Sequence, residues 1–198
     1  MPSAASLPPL VLASTSPYRR ELLARLGLDF SVAAPGLPED RLPAESPADR
    51  ALRLATGKAQ AVASRQPGAL VIGGDQVAAA GDGILDKPGD AAGCRAQLTA
   101  LSGHSARFYT ACVLIGGNPA VHLAHVDTTT VVFRALAAEE IARYVERDRP
   151  FDCAGGFRVE AGGIALLECL ESQDPTALIG LPLIWLTGAL RRAGYRLP

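Results

Sequence analysis

The sequence has few histidines, few cysteines, almost no lysine and no long apolar run, and each shortage removes a class of function. The three histidines, His104, His122 and His125, form no His-Glu-x-x-His, which excludes the helical zinc-hydrolase pattern. They read as structural or exposed residues of strand-like segments. No Gly-x-Ser-x-Gly is present to present a serine nucleophile on a strand-to-helix turn. The four cysteines, Cys94, Cys112, Cys153 and Cys169, make no Cys-x-x-Cys. Scattered thiols of this kind read as buried small hydrophobes. No apolar stretch approaches the roughly 20 residues that span a bilayer. Met1 to Pro9 has no basic segment followed by an apolar one, so no leader is expected and the expected location is the cytoplasm. The formal net charge of −1 leaves no basic excess for a nucleic-acid backbone or a membrane surface. A small phosphorylated ligand is still allowed, because it needs positive charge only locally.

What is present supports a folded enzyme-sized unit. Hydrophobic residues make up 48% of the chain, enough for a packed core, and residues 1–198 read as one domain with room for two lobes. The basic residues are uneven: of 19, only Lys58 and Lys87 are lysine. Lysine offers a compact charge on a flexible stem, arginine a planar fork. A chain that otherwise uses arginine throughout has two places that take lysine.

The most informative stretch is Leu10-Val11-Leu12-Ala13-Ser14-Thr15-Ser16-Pro17-Tyr18-Arg19-Arg20. A strand-length apolar run stops at three hydroxyl residues, and Ser16-Pro17 has the form of an N-cap followed by the first helical residue. Strand, short loop and helix start follow. Free N–H groups at the helix start and the guanidinium groups of Arg19 and Arg20 are then expected to face one small volume, a site for an anion such as phosphate. The alternative is an ordinary cap with two solvated arginines.

Further on, Gly27 ends the first helix, and residues 28–34 read as a second strand. Residues 35–47 form a proline-rich acidic loop with Glu39, Asp40 and Glu45. Ser46-Pro47 opens a long helix to about Arg65 with Lys58 in its middle. Leu70-Val71-Ile72 reads as a short buried strand ending at Gly73-Gly74, which puts Asp75 in a turn at its carboxyl end, where α/β sheets bind ligands. Lys87-Pro88 leads into a helix over residues 90–101. Residues 106–115 and 121–133 form an antiparallel hairpin. A helix over 137–147, a glycine-rich loop over 150–163 holding Asp152, Arg158 and Glu160, a strand over 164–170 and a helix over 183–192 complete the chain. The pattern predicts an α/β fold: a mixed twisted sheet flanked by helices, with a central cleft between two lobes.

Several stretches together carry a resemblance. They are Ala13 to Arg20, Leu52-Arg53-Leu54-Ala55 with Lys58-Ala59, Gly74-Asp75-Gln76-Val77, Lys87-Pro88 and Phe108-Tyr109-Thr110. Cys153-Ala154-Gly155 with Phe157, Asp174-Pro175 and Leu178-Ile179-Gly180-Leu181-Pro182 complete the set. In this order and spacing they resemble the Maf family of nucleoside triphosphate pyrophosphatases, from Leu10 to about Gly194. The resemblance implies a fold related to the inosine-triphosphatase-like enzymes. It also implies hydrolysis of a nucleoside triphosphate to monophosphate and pyrophosphate with a divalent cation, Mg²⁺ or Mn²⁺. It casts Asp75 as the acid that activates water or holds the metal, and Glu39 as a second metal carboxylate. Lys58, Lys87, Arg19 and Arg20 would hold the triphosphate, with hydroxyls from Ser14 and Ser16. A homodimer is the usual oligomer of the family.

Three positions bear on the base. Tyr18, Gln76 and Glu160 stand where the branch preferring dTTP and UTP has arginine, threonine and glutamine. The set resembles the branch that takes 7-methyl-GTP: an aromatic ring stacks on the cationic base, and a carboxylate pairs with the guanine edge. The chain departs from the family at Gly74 and Gly156, where serine is usual, at Pro38, where an acid often precedes Glu39, and at Arg158, where lysine is usual. The competing functions are a dTTP or UTP pyrophosphatase of the same family and a low-turnover nucleotide-binding regulator of septum formation.

Overall fold

Leu10–Ala13 forms β1, buried at all four positions, and the chain leaves it at Ser14. Ser16 caps α1 (Pro17–Ala24), its hydroxyl oxygen accepting the Arg19 N–H at 3.4 Å. Gly27, at φ +65°, turns the chain toward β2 (Ser31–Ala33). Ser46 caps α2 (Pro47–Ala63) by accepting the Asp49 N–H at 3.1 Å. The inner face of α2 carries Ala51, Leu54, Ala55, Ala59 and Val62 at helical spacing. There follow β3 (Leu70–Ala80), β4 (Gly83–Leu85), α3 (Ala91–Leu101), β5 (Ser105–Gly116) and β6 (Val121–Phe133). The chain ends with α4 (Ala138–Asp148), β7 (Leu167–Glu171) and α5 (Leu183–Arg192). This computed structural model describes residues 7–198; most of the stretch examined for a leader, residues 1–6, lies outside the described residues.

Among the described residues, seven strands form one mixed sheet in the order β2-β1-β3-β5-β6-β7, with β4 paired to the far end of β3. β1 runs parallel to β2 and β3, and the remaining pairs are antiparallel. Among the described residues five α-helices flank the sheet, so the fold is α/β with a mixed sheet, as the strand–helix pattern predicts. No helix among the described residues is long and apolar enough to cross a membrane.

The sheet carries two main apolar cores. One joins β1 and the start of β3 to α1 and α5 through Leu12, Leu22, Ile72, Leu181 and Leu186. The other joins the start of β5 and the end of β6 to α3 and α4 through Leu98, Phe108, Phe133, Ile141 and Phe157. β3 and β5 run through both, paired from Leu70 against Gly116 to Ala79 against Arg107. Asp75, opposite Ala111, sits near the middle of that ladder.

Three expectations from the sequence are corrected. Gly73 and Gly74 do not end a strand: β3 is continuous over 11 residues, and Asp75 lies inside it. The glycines answer to packing instead. A Cβ at Gly73 would stand 2.2 Å from the Ala55 carbonyl oxygen and 2.7 Å from the Ala59 Cβ, so α2 lies directly on the backbone there. β2 is three residues long because it pairs only with Val11, Leu12 and Ala13. The last strand begins at Leu167, since residues 162–166 wind into a 3-10 turn that leaves Ile164 exposed.

Candidate active site

β1 covers β3 only as far as Gly73, and β4 pairs with it only from Ala78. Residues 74–77 of β3 therefore have no strand partner on that side. Asp75, Gln76 and Val77 line a cavity of about 570 Å³ that opens there, within the size range of small-molecule sites. The β1–α1 loop supplies Ser14, Thr15 and Ser16 to its wall, so the start of α1 borders the same space.

The centre of the site is a buried ion cluster. Lys58 Nζ donates to Asp75 Oδ1 at 2.6 Å and stands 2.6 Å from Glu39 Oε1. Two carboxylates from distant parts of the chain thus meet across one ammonium. The side chains of Asp75 and Lys58 are 9% and 10% exposed, whereas Glu39, on its loop, is 54% exposed. Gly73 makes this possible: because α2 touches the strand backbone, Lys58 reaches the acid two residues along on the same face. Burial raises the Glu39 carboxyl, but the Lys58 hydrogen bond and the charges of Lys58, Lys87 and Arg19 outweigh it and hold the group below its ordinary range.

Arg19 lies on the other face of β3. Its Nε donates to the Gly180 carbonyl oxygen at 3.0 Å. Gly74 leaves it room, since a Cβ there would come 3.3 Å from Arg19 Cδ and 3.1 Å from Leu181 Cδ2. Burial pulls the guanidinium down from its ordinary value, opposed by the charges of Asp75 and Glu39. Lys87, just past β4, lines the cavity as well. Arg20 does not: it is exposed and absent from the cavity wall. Successive helical residues point about 100° apart, and the step from Arg19 to Arg20 carries the second arginine to solvent.

The end of the cavity around Tyr18 is aromatic and carries two acids, Asp152 and Glu160, with Arg158 beside them. The Tyr18 hydroxyl donates to Asp152, 3.3 Å from each carboxylate oxygen, and the Cys153 thiol donates to the Tyr18 oxygen at 3.7 Å. Burial pushes the Tyr18 phenol up to about 12 and the Cys153 thiol up to about 12. Phe108 and Phe157, in edge-to-face contact at 5.6 Å, back this end, and Glu160 closes it from the glycine-rich loop. Gln76 is held in place: its Nε2, with two protons, has three acceptors in reach, Thr110 Oγ1 at 2.9 Å and the carbonyl oxygens of Leu178 at 3.0 Å and Ala177 at 3.1 Å. These bonds occupy the amide nitrogen, and the side-chain oxygen keeps its acceptor capacity.

Of the residues read from the sequence, Ser14, Ser16, Tyr18, Arg19 and Glu39 line this one cavity, together with Lys58, Asp75, Gln76, Lys87 and Glu160. Asp152, Cys153 and Arg50 line it too and had no assigned role. Arg50 was findable, because it lies eight residues before Lys58, on the same helical face. Asp152 and Cys153 reach the cavity through a loop and left no periodic signal. The thiols also divide: Cys94 and Cys112 are buried, as expected of small hydrophobes, whereas Cys153 faces the cavity and Cys169 is exposed. No group of three or more His, Cys, Asp or Glu side chains is placed to hold a metal among the described residues.

A mixed α/β sheet with a gap in its middle, a carboxylate pair in the gap and fixed cations around it defines a protein that handles a phosphorylated small molecule. The chain belongs to the Maf family: the family described as Maf-like protein matches residues 9–193. It is 51% identical over 192 residues to the 7-methyl-GTP pyrophosphatase of Xanthomonas oryzae pv. oryzae (strain MAFF 311018), covering 97% of this chain and all of that protein. It is 49% identical over 190 residues to the 7-methyl-GTP pyrophosphatase of Ralstonia nicotianae, covering 96% of this chain and 98% of that protein. The protein of that name from Nitrosococcus oceani is 48% identical over 188 residues, covering 95% of this chain and 94% of its own length.

Proposed function

We infer that this protein is a nucleoside triphosphate pyrophosphatase that hydrolyses 7-methyl-GTP to the nucleoside monophosphate and pyrophosphate, removing a modified nucleotide from the cytoplasmic pool. The observation that carries the reading is the Asp75–Lys58–Glu39 cluster, set among cations in a cavity whose other end is aromatic and acidic. The relatives named above support the same reaction and the same base.

In this reading Asp75 accepts a proton from the attacking water. The water oxygen bonds to the α-phosphorus, the bridging bond to the β-phosphate breaks, and pyrophosphate leaves with the electron pair. Charge grows on the phosphate oxygens as this happens. Arg19, Lys58 and Lys87, with hydroxyls from Ser14 and Ser16, offset that charge. Lys58 has a flexible stem that lets its ammonium turn from the carboxylates to a phosphate.

The donor set suits a divalent cation. Asp75 and Glu39 offer hard oxygen ligands, and Mg²⁺ needs only one or two carboxylates when phosphates and water complete its shell. Bound there, the cation would neutralise phosphate charge and acidify a bound water. At the far end Tyr18 would stack on the methylated base, whose positive charge favours an aromatic face. Glu160 and the Gln76 oxygen would accept from the guanine edge.

A product assay tests this directly. Purified protein with Mg²⁺ is given 7-methyl-GTP, GTP, dTTP, UTP and CTP, and monophosphate and pyrophosphate are measured. The expected result is pyrophosphate release with 7-methyl-GTP preferred, and loss of most turnover in a folded Asp75→Asn protein. Preference for dTTP or UTP would remove the assigned roles of Tyr18, Gln76 and Glu160. Binding without pyrophosphate would favour the regulator, and near wild-type turnover in Asp75→Asn would sink the mechanism.

A further inference from the structure

Arg50 belongs to the cavity wall, yet nothing in the mechanism above uses it. It stands on the same face of α2 as Leu54 and Lys58, at spacings of four and eight residues, and all three line the cavity. Its neighbours are neutralised: Arg53 pairs with Glu45 at 2.5 Å, Arg41 with Asp86 at 2.5 Å, and Lys58 with two carboxylates. No carboxylate among the described residues lies within ion-pair distance of Arg50. Its Nη2 has one long hydrogen bond, 3.3 Å to the Glu39 carbonyl oxygen, and its buried Nε has no partner among the described residues. An arginine fork on the cavity wall, with no carboxylate partner among the described residues, matches two oxygens of a phosphate.

Its position says which phosphate. Lys58 pairs with the Glu39 carboxylate, Arg50 bonds the carbonyl oxygen of the same residue, and Arg19 and Lys87 line the same cavity, so its cations gather at the Glu39 end. At the other end the carboxylates Asp152 and Glu160 lie on the glycine-rich loop beside Tyr18, with one cation, Arg158, among them. This polarity orients a nucleotide with its base toward Tyr18 and its phosphates toward Glu39. Lys58 reaches the reacting centre at Asp75, and Arg50 lies two turns further along the helix.

We propose that Arg50 is a binding residue for the terminal phosphates of the substrate, and for the pyrophosphate left after cleavage. The proposal deepens the pyrophosphatase reading and rests on it for the identity of the anion. Calorimetric titration of wild type and Arg50→Gln with inorganic pyrophosphate and with 7-methyl-GMP, each with Mg²⁺, tests it. Arg50→Gln is expected to weaken pyrophosphate about tenfold or more, the loss typical of a charged hydrogen bond, while 7-methyl-GMP changes less than twofold. Arg50→Lys, which keeps the charge and loses the fork, is expected to fall between. Unchanged pyrophosphate affinity in either variant overturns the proposal. So does an equal loss for both ligands, since Arg50 would then act only by tying down the Glu39 loop, and so does a wild type that binds no pyrophosphate. A wild type that binds pyrophosphate but cleaves none of the nucleotides would count against the pyrophosphatase reading alone.

Discussion

Gly73 faces α2 where the helix presents Ala55 and Ala59, and the spacing between strand and helix there sets how far Lys58 must reach for Asp75. A methyl group at this position meets main-chain oxygen at 2.2 Å, which cannot rotate away. Gly73→Ala is expected to lower stability by about 1–3 kcal/mol, as over-packed cores do, and to lower turnover further by pushing α2 off the sheet. Urea unfolding followed by circular dichroism gives the first figure, and a wild-type midpoint would show that α2 is free to shift. The glycine pair was visible in the sequence, but its purpose was not. Glycine serves a turn and a close helix contact equally well, and only the neighbour decides between them. The paired arginines teach the same point. Arg19 and Arg20 look equivalent in the chain, and the helix turns one to the cavity and the other to solvent.

The helices of this protein were the most legible elements, because their starts are written locally. Ser16-Pro17, Ser46-Pro47 and Asp90 each cap a helix with their own side chain. α4 uses a different device. Its cap residue is Ala137, and Glu140 bonds back to the Ala137 N–H at 2.9 Å while Arg134 grips both its carboxylate oxygens at 2.8 and 3.1 Å. The hydrogen bonds from Arg134 and from Ala137 hold the Glu140 carboxyl down at about 2. A carboxylate with a depressed folded pKa adds stability above its unfolded value of 4.5 and loses it as pH falls toward about 2. The gap in melting temperature between wild type and Glu140→Gln should therefore be full at pH 6 and narrower at pH 3. Salt should shrink it too, because about a third of each side chain is open to solvent. A gap that ignores pH would mean the carboxylate charge is not what secures the helix. Strand ends were less legible. β2 and β7 are shorter than their sequences suggest, since a strand lasts only as long as a partner lies beside it.

Across the whole molecule, one continuous sheet carries two apolar cores, and the cavity lies at the break where β1 has ended and β4 has not begun. Its wall draws on both: Arg19 and Gly180 from beside the first core, Phe108 and Phe157 from the second. A ligand in the cavity binds the folded chain and not the unfolded one, so it must raise stability. A 7-methyl-GTP analogue with a methylene in place of the α,β-bridging oxygen, at about 100 times its dissociation constant with Mg²⁺, adds about 2.7 kcal/mol. For a chain of this length that is a rise of about 5–10 °C in melting temperature. Differential scanning calorimetry reads it, and no rise at saturating analogue would remove nucleotides as the ligand class.

The sequence by itself determined the α/β character, the helix starts, the strand–loop–helix that opens at Ser14 and the short set of residues worth watching. Those features rest on periodicity, caps and side-chain chemistry, which act within a few residues. Only the tertiary structure decided that Asp75 lies within a strand, that Glu39 and Lys58 meet it, that Arg20 turns away and that Arg50, Asp152 and Cys153 join the wall. Helical spacing hints at Arg20 and Arg50, but the rest depends on elements far apart in the chain being packed to within a few ångströms, and no local pattern records that distance.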